Sequence, residues 1–177
     1  SYGSTSVDLI CERAGVKKSS FYHFFESKTA LALAGIDKAW AFHRGEMDRI
    51  FSPVHAPVER LRNWTQSMIA EQEEMKRKHG RVLGCPIHSL GAEVSTLDDS
   101  LRDKLQGILA QFIRYFESAI RDAHAADASA KARIVFAYSE GLLAHARIWN
   151  DLRQLDELES GVMSILGAPS PRKRARS

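Results

Sequence analysis

Between Ala14 and Lys28 the chain reads AGVKKSSFYHFFESK: three lysines, a histidine, three serines and four aromatics in one short stretch. Ammonium groups at this density suit a polyanion, and hydroxyl and imidazole groups beside them can hydrogen-bond phosphate oxygens or base edges. Aromatics at this density suit a core. A second stretch, GCPIHSLGAE, holds Cys85 and His88. Pro86 fits the first turn of a helix, which makes Cys85 its N-cap, where free N–H groups and the helix dipole favour a thiolate. Two readings of Cys85 stand side by side: a small buried cap residue, or a thiol that senses oxidants and electrophiles. His88 and His145 are single histidines on otherwise apolar helices and fit a satisfied core or interface position.

Catalytic patterns are absent. A di-iron bundle needs Glu-x-x-His pairs, but Glu74 precedes His79 by five positions and Glu140 precedes His145 by five. No HExxH, GxSxG or P-loop pattern occurs. Cys85 with His88 is too little for a zinc site or a thiol hydrolase. No enzyme, metal or cofactor is expected.

These residues must be held by helices, because apolar residues recur at helical spacing and almost nowhere alternate as in strands. The expected fold is all-α. A short helix over 6–14 has Thr5 or Ser6 as N-cap and stops at Gly15. A second runs from Lys18 to Phe25, and a third from Ser27 to Ile50. Pro57 opens a long helix to Lys78, striped with Leu61, Trp64, Thr65, Met68 and Met75. Pro86 opens a short helix to Val94. STLDDS caps another over 97–124, striped with Leu101, Leu105, Ile108, Phe112, Phe116 and Ile120. Two more are expected over 128–149 and 152–166. Their stripes, Ile134, Tyr138, Gly141, Leu142, His145 and Trp149, then Leu155, Leu158, Val162 and Ile165, offer a dimer interface, or pack inward within one subunit.

The two short helices around Ala14-Gly15-Val16 make a helix-turn-helix pattern. Ala14 allows close approach of the helices, Gly15 supplies positive φ, and Val16 is expected to plug the turn into the core.

Bulk properties are ordinary for a soluble globular protein. Of 177 residues, 44% are hydrophobic and 27% charged. No apolar run reaches the ~18 residues of a membrane helix, no secretory signal is visible, and two cysteines are too few for a disulfide framework. A cytoplasmic protein without membrane partners is expected. The net charge of +3 is misleading, because Arg172, Lys173, Arg174 and Arg176 of the tail supply four of the 25 basic residues. The remaining 21 face 22 acidic ones. Nucleic-acid binding therefore has to rest on local placement.

The segment TSVDLICERAGVKKSSFYHFFESKTAL resembles the DNA-binding segment of the tetracycline repressor (TetR) family of bacterial regulators. Thr5, Ile10, Ala14, Gly15, Val16, Phe21, Tyr22, Phe25, Lys28 and Leu31 fall in register over about 27 residues. The resemblance implies a small helix-turn-helix domain over 1–40 and an effector-binding and dimerisation bundle over 41–166, and the Pro-, Ser- and Arg-rich composition of 167–177 reads as a disordered basic tail. It also implies a first helix ahead of the segment, of which only SYG is present. Thr5 and Lys28 would meet phosphates. Lys18, Ser20 and His23 would face the major groove, and Tyr22 would set its ring on the core and its hydroxyl on a phosphate. Phe21 and Phe25 would pack inward.

Lys17 stands where the family has serine. It cannot cap with its side chain, so the helix is capped otherwise or Lys17 adds a phosphate contact. The helix from Ser27 would be the lever between domains. The implied function is a dimeric regulator, most simply a repressor, on a pseudo-palindromic double-stranded DNA operator, released by a small-molecule effector. Trp64, Met68, Cys85, His88, Phe112, Phe116, Tyr138 and Trp149 are its candidate pocket. Each is otherwise core, and little charge on these faces favours a neutral or aromatic effector. A helical interaction protein without DNA binding, which the net charge of +1 over residues 1–50 would fit, is the competing reading.

Overall fold

The computed structural model describes residues 2–168. The tail arginines and Lys173 lie outside the described residues. Every regular element among them is helical: α1 (Val7–Ala14), α2 (Lys18–Phe24), α3 (Lys28–Ile50), α4 (Pro57–His79), α5 (Pro86–Val94), α6 (Asp99–Asp122), α7 (Ala128–Trp149), a 3-10 turn (Leu152–Leu155) and α8 (Leu158–Leu166). The expected single helix over 152–166 is thus two elements. The Asp151 carboxylate accepts from the Arg153 N–H at 3.0 Å and closes a tight turn first.

The chain forms two compact units, Ser1–Gly45 with Pro86–Leu109, and Glu46–Cys85 with Ala110–Ser177. The first differs from the linear division at residue 40, because α5 and the start of α6 return to join the helix-turn-helix segment.

In the first unit, Ser6 caps α1 by accepting from the Leu9 N–H at 3.1 Å. Gly15 ends α1 at φ +65°, where a side chain would be strained. Cys11 and Phe21 are the residues that α1 and α2 bury. Val16, expected in the core, is 46% exposed, because no described element covers the outside of the turn. Asp98 caps α6, accepting from the Leu101 N–H at 3.0 Å and the Ser100 hydroxyl at 2.6 Å, and takes a further bond from the Thr29 hydroxyl at 2.8 Å. These bonds hold its carboxyl at about 2, below the usual value. With its own proton on Asp98, the Thr29 hydroxyl in turn accepts from the Tyr2 hydroxyl at 3.0 Å.

The second unit is a bundle whose core includes Phe51, Leu61, Trp64, Phe116, Val135, Leu158, Val162 and Met163. Trp64 lies 4.5 Å from Phe116 between ring centroids, and Phe51 lies 5.6 Å from it. A buried arginine, Arg60, donates to the His55 carbonyl at 3.0 Å and to the Asp122 carboxylate at 2.6 Å, tying the start of α4 to the end of α6. The helices α7 and α8 approach closely at Gly161. A Cβ there would stand 2.2 Å from the Tyr138 hydroxyl oxygen, which donates to the Glu157 carbonyl at 3.0 Å.

Asn150 ends α7 in the left-handed conformation, φ +51°. Its amide donates to the Gly80 carbonyl at 3.2 Å and accepts from the Val82 N–H at 2.9 Å, while its own carbonyl accepts from Lys76 at 2.6 Å.

Candidate nucleic-acid interface

The helix α2 sorts its side chains by face. Phe21 is 5% exposed and points to the core with Phe25, 5.9 Å away between centroids. The outer side carries Lys18, Ser20, Tyr22 and His23, all exposed. Seven residues make two turns, so positions four apart align. Lys18 stands above Tyr22 on one flank, Ser20 above Phe24 on the other, and His23 on the crest between them. The Tyr22 ring meets Phe21 edge-on at 5.2 Å, and the residue stays 51% exposed. Its body rests on the core residue and its hydroxyl end is open.

Lys17 is the N-cap of α2, and its side chain makes no capping bond. The backbone enters the helix without that help, and the Lys17 side chain is exposed. Lys18 pairs with Asp8 at 2.8 Å, an exposed contact that raises the lysine above its ordinary value through the hydrogen bond and charge of Asp8. Such a surface pair is weak and can open for a phosphate.

Lys28 departs from expectation. Its ammonium donates to the carbonyls of Tyr2 at 2.9 Å and Thr5 at 3.0 Å and lies 4.2 Å from the Tyr2 ring centroid. The charge satisfies backbone carbonyls ahead of α1 instead of standing outward, because the start of α3 packs beside that segment. Thr5 itself is half-buried.

Phe24 received no role from the sequence, yet it is 75% exposed, more than Tyr22. Its neighbours in the pattern, Phe21 and Phe25, fill the inward positions and leave it outside. The signal was the helical register alone.

The second unit treats its candidates differently. Trp64 and Phe116 are buried at 6% and 0% exposure and pack on each other. Met68, Phe112 and Tyr138 are half-buried around the same core. Trp149, expected in the pocket, is 63% exposed at the end of α7, and His88, expected there too, belongs to α5 of the first unit and is exposed. Leu155, Leu158 and Val162, expected on a dimer face, are 1%, 0% and 0% exposed. Their apolar sides are used within the subunit, against α4 and α7. By contrast Ile134, Gly141 and His145 of α7 are exposed, and Leu142 is half-buried. Ile148, one turn beyond Ala144, extends the exposed apolar line at 77%.

A surface cleft of about 710 Å³ lies elsewhere in the unit, bounded by Ile69, Leu142, Leu152 and Leu155 with Glu73, Arg153 and Glu157. Of the expected residues it takes only Leu142 and Leu155, both from the dimer set.

Sequence reasoning also missed Glu140. It is 7% exposed on α7, and burial pushes its carboxyl up to about 7, partly offset by a hydrogen bond from the Cys85 thiol. Cys85 is half-buried and not in a disulfide. Among the described residues no cluster of three or more His, Cys, Asp or Glu could hold a metal ion, and no helix is long and apolar enough to cross a membrane.

Known proteins place this arrangement. Residues 1–34 match the model for bacterial regulatory proteins of the tetR family, and residues 57–162 match the tetracyclin repressor-like C-terminal domain. The transcriptional regulator AcuR of Cereibacter sphaeroides is 35% identical over 125 residues, covering 70% of this chain and 55% of AcuR. The repressor NemR of Escherichia coli K12 is 23% identical over 181 residues, covering 95% of this chain and 87% of NemR. The matched region is thus about half the length of AcuR and most of NemR.

Among solved structures, regulatory protein TetR from Rhodobacter sphaeroides superposes with a TM-score of 0.79 at 30% identity, covering 93% of this chain and 89% of that one. Reduced E. coli NemR superposes with a TM-score of 0.82 at 23% identity, covering 95% and 89%, a likeness of fold. The C-terminal match alone takes in more than half of the chain, and a helix-turn-helix with its outward lysine, tyrosine and histidine precedes it. The chain belongs to the tetR family of bacterial regulatory proteins, transcriptional regulators and not enzymes.

Proposed function

We propose that the protein is a repressor that binds a short pseudo-palindromic operator as a homodimer in the bacterial cytoplasm and leaves it when a small molecule binds the second unit. The observation that carries this reading is the outward row of α2, with Lys18, Ser20, Tyr22 and His23 exposed opposite a buried Phe21. Lys17 beside it adds a phosphate contact. Lys28 acts from behind, holding the segment that carries Thr5 ahead of α1.

The exposed apolar line of α7, through Ile134, Gly141, His145 and Ile148, is the surface for the second subunit. Two copies present two copies of α2, which read half-sites about one helical turn of DNA apart. A ligand that prefers another spacing weakens DNA binding by linkage. The aromatic surround of Met68, Phe112 and Tyr138 favours a neutral or aromatic effector.

The test is selection of duplexes from a random library by the full chain, followed by titration with salt. Affinity is expected to fall steeply with salt, and alanine at Lys18, Tyr22 and His23 together is expected to abolish it. Binding that ignores both salt and the triple replacement overturns the reading.

A second reading concerns the signal. The Cys85 thiol is half-buried, outside any disulfide and hydrogen-bonded to the buried Glu140 carboxyl. Cys85 then responds to oxidants or electrophiles. Diamide should release wild-type protein from the selected duplex and leave Cys85→Ser bound. Equal retention of both proteins ends this reading.

A further inference from the structure

Phe24 presents an apolar ring to water at the end of a helix whose other exposed side chains are polar. At 75% exposure it contributes little to the fold, and Phe21 and Phe25 already fill the inward positions. It shares a flank of α2 with Ser20, one turn earlier, and its ring meets His23 of the crest edge-on at 4.9 Å. It is therefore continuous with the row that faces DNA, and the exposed cations at Lys17 and Lys18 open the same helix. Within the major groove the base edges offer one apolar group, the 5-methyl of thymine. Adenine, guanine and cytosine show only donors and acceptors there, which a phenyl ring would leave unpaired.

We infer that Phe24 is a specificity-determining residue that selects thymine at one position of each half-site by packing on its 5-methyl group. This rests on the DNA-binding reading above and adds to it the base class that this side chain reads. An aromatic residue makes the choice through area and exclusion, where Lys18 and His23 act through hydrogen bonds.

The experiment uses the full chain and the duplex recovered by the selection described above. Each thymine is replaced in turn by deoxyuridine, which removes the methyl and keeps the pairing. Wild-type protein is expected to lose about fourfold in affinity per half-site at one position, the effect of one buried methyl, and little at the others. Phe24→Ala is expected to bind the thymine duplex at least fourfold more weakly and to bind thymine and uracil duplexes equally. Phe24→Leu, still apolar, is expected to keep part of the preference. The salt dependence of all three proteins should match, since no phosphate contact changes.

Wild-type binding that is indifferent to every thymine methyl, or a Phe24→Ala protein that keeps the preference, overturns the inference while DNA binding stands. Failure to recover any duplex sinks the DNA-binding reading and this inference together. Because the side chain is exposed, unchanged melting of Phe24→Ala will show that its fold is intact.

Discussion

The two aromatic groups of this molecule obey different rules. In the helix-turn-helix, Phe21, Tyr22 and Phe24 sit on one short helix with Phe25 at its C-cap and are divided by face, from 5% exposure at Phe21 to 75% at Phe24. In the bundle, Trp64, Phe116 and Phe136 come from three helices and converge with Phe51 of the turn after α3, and Phe116 is fully buried. A seven-residue helix has too little surface to hide four rings, so some must face outward and wait for a partner. A bundle of long helices has interior enough to take them all.

The largest effect should come from deleting the central ring. Phe116→Ala is expected to cost about 3 to 5 kcal/mol, read as a lowered midpoint in denaturant. Phe24→Ala is expected to stay within about 0.5 kcal/mol. Equal losses at both positions would erase the contrast.

The next effect is electrostatic and sets the buried carboxyl of the bundle against a half-buried, hydrogen-bonded one of the first unit. Burial holds Glu140 at about 7, above its ordinary 4.5. Between these values the folded protein keeps a proton that the unfolded chain releases, so stability falls as pH rises through that window. Glu140→Gln should remove that slope, on the order of 3 kcal/mol across it, followed as the melting temperature against pH. Asp98 has the opposite sign. Held at about 2, it favours the fold above pH 4, and the benefit fades as pH falls towards 2.

The smallest effect lies at Lys17. A serine can accept the capping bond that lysine cannot, so Lys17→Ser should stabilise the protein by about 1 kcal/mol. The same change should lower the slope of log affinity against log salt by about one for each phosphate that Lys17 meets. A gain in stability without a change in slope would confine Lys17 to the fold.

Much of α1 and α2 was legible because their signals are local. Ser6, Gly15 and the spacing of Phe21 and Phe25 each act within a few residues. The bundle helices were legible as helices for the same reason. Their partners were not. A stripe such as Leu158 and Val162 looks alike whether it meets its own subunit or another, and here it meets its own. Trp64 and Phe116 have the periodicity of core and of pocket alike. Lys28 read as a phosphate ligand because no local pattern foretells that the carbonyls of Tyr2 and Thr5 will reach it. Arg60 and Asp122 pair across 62 positions, and Glu140 showed only as a carboxylate in an apolar helix. Such features depend on packing, which a one-dimensional pattern does not carry.

Asn150 bears on how the bundle opens. Loop amides usually exchange with solvent quickly, through small local fluctuations. The Val82 amide lies in a loop, but its acceptor is carried by the end of α7. The same side chain holds the Gly80 carbonyl, and Lys76 closes over the backbone of Asn150. To free that amide, the loop must part from the end of α7 and give up both of its bonds to the Asn150 side chain. The Val82 amide therefore opens only when the loop leaves the end of α7, and in deuterated water it should keep its proton about as long as a helix amide does.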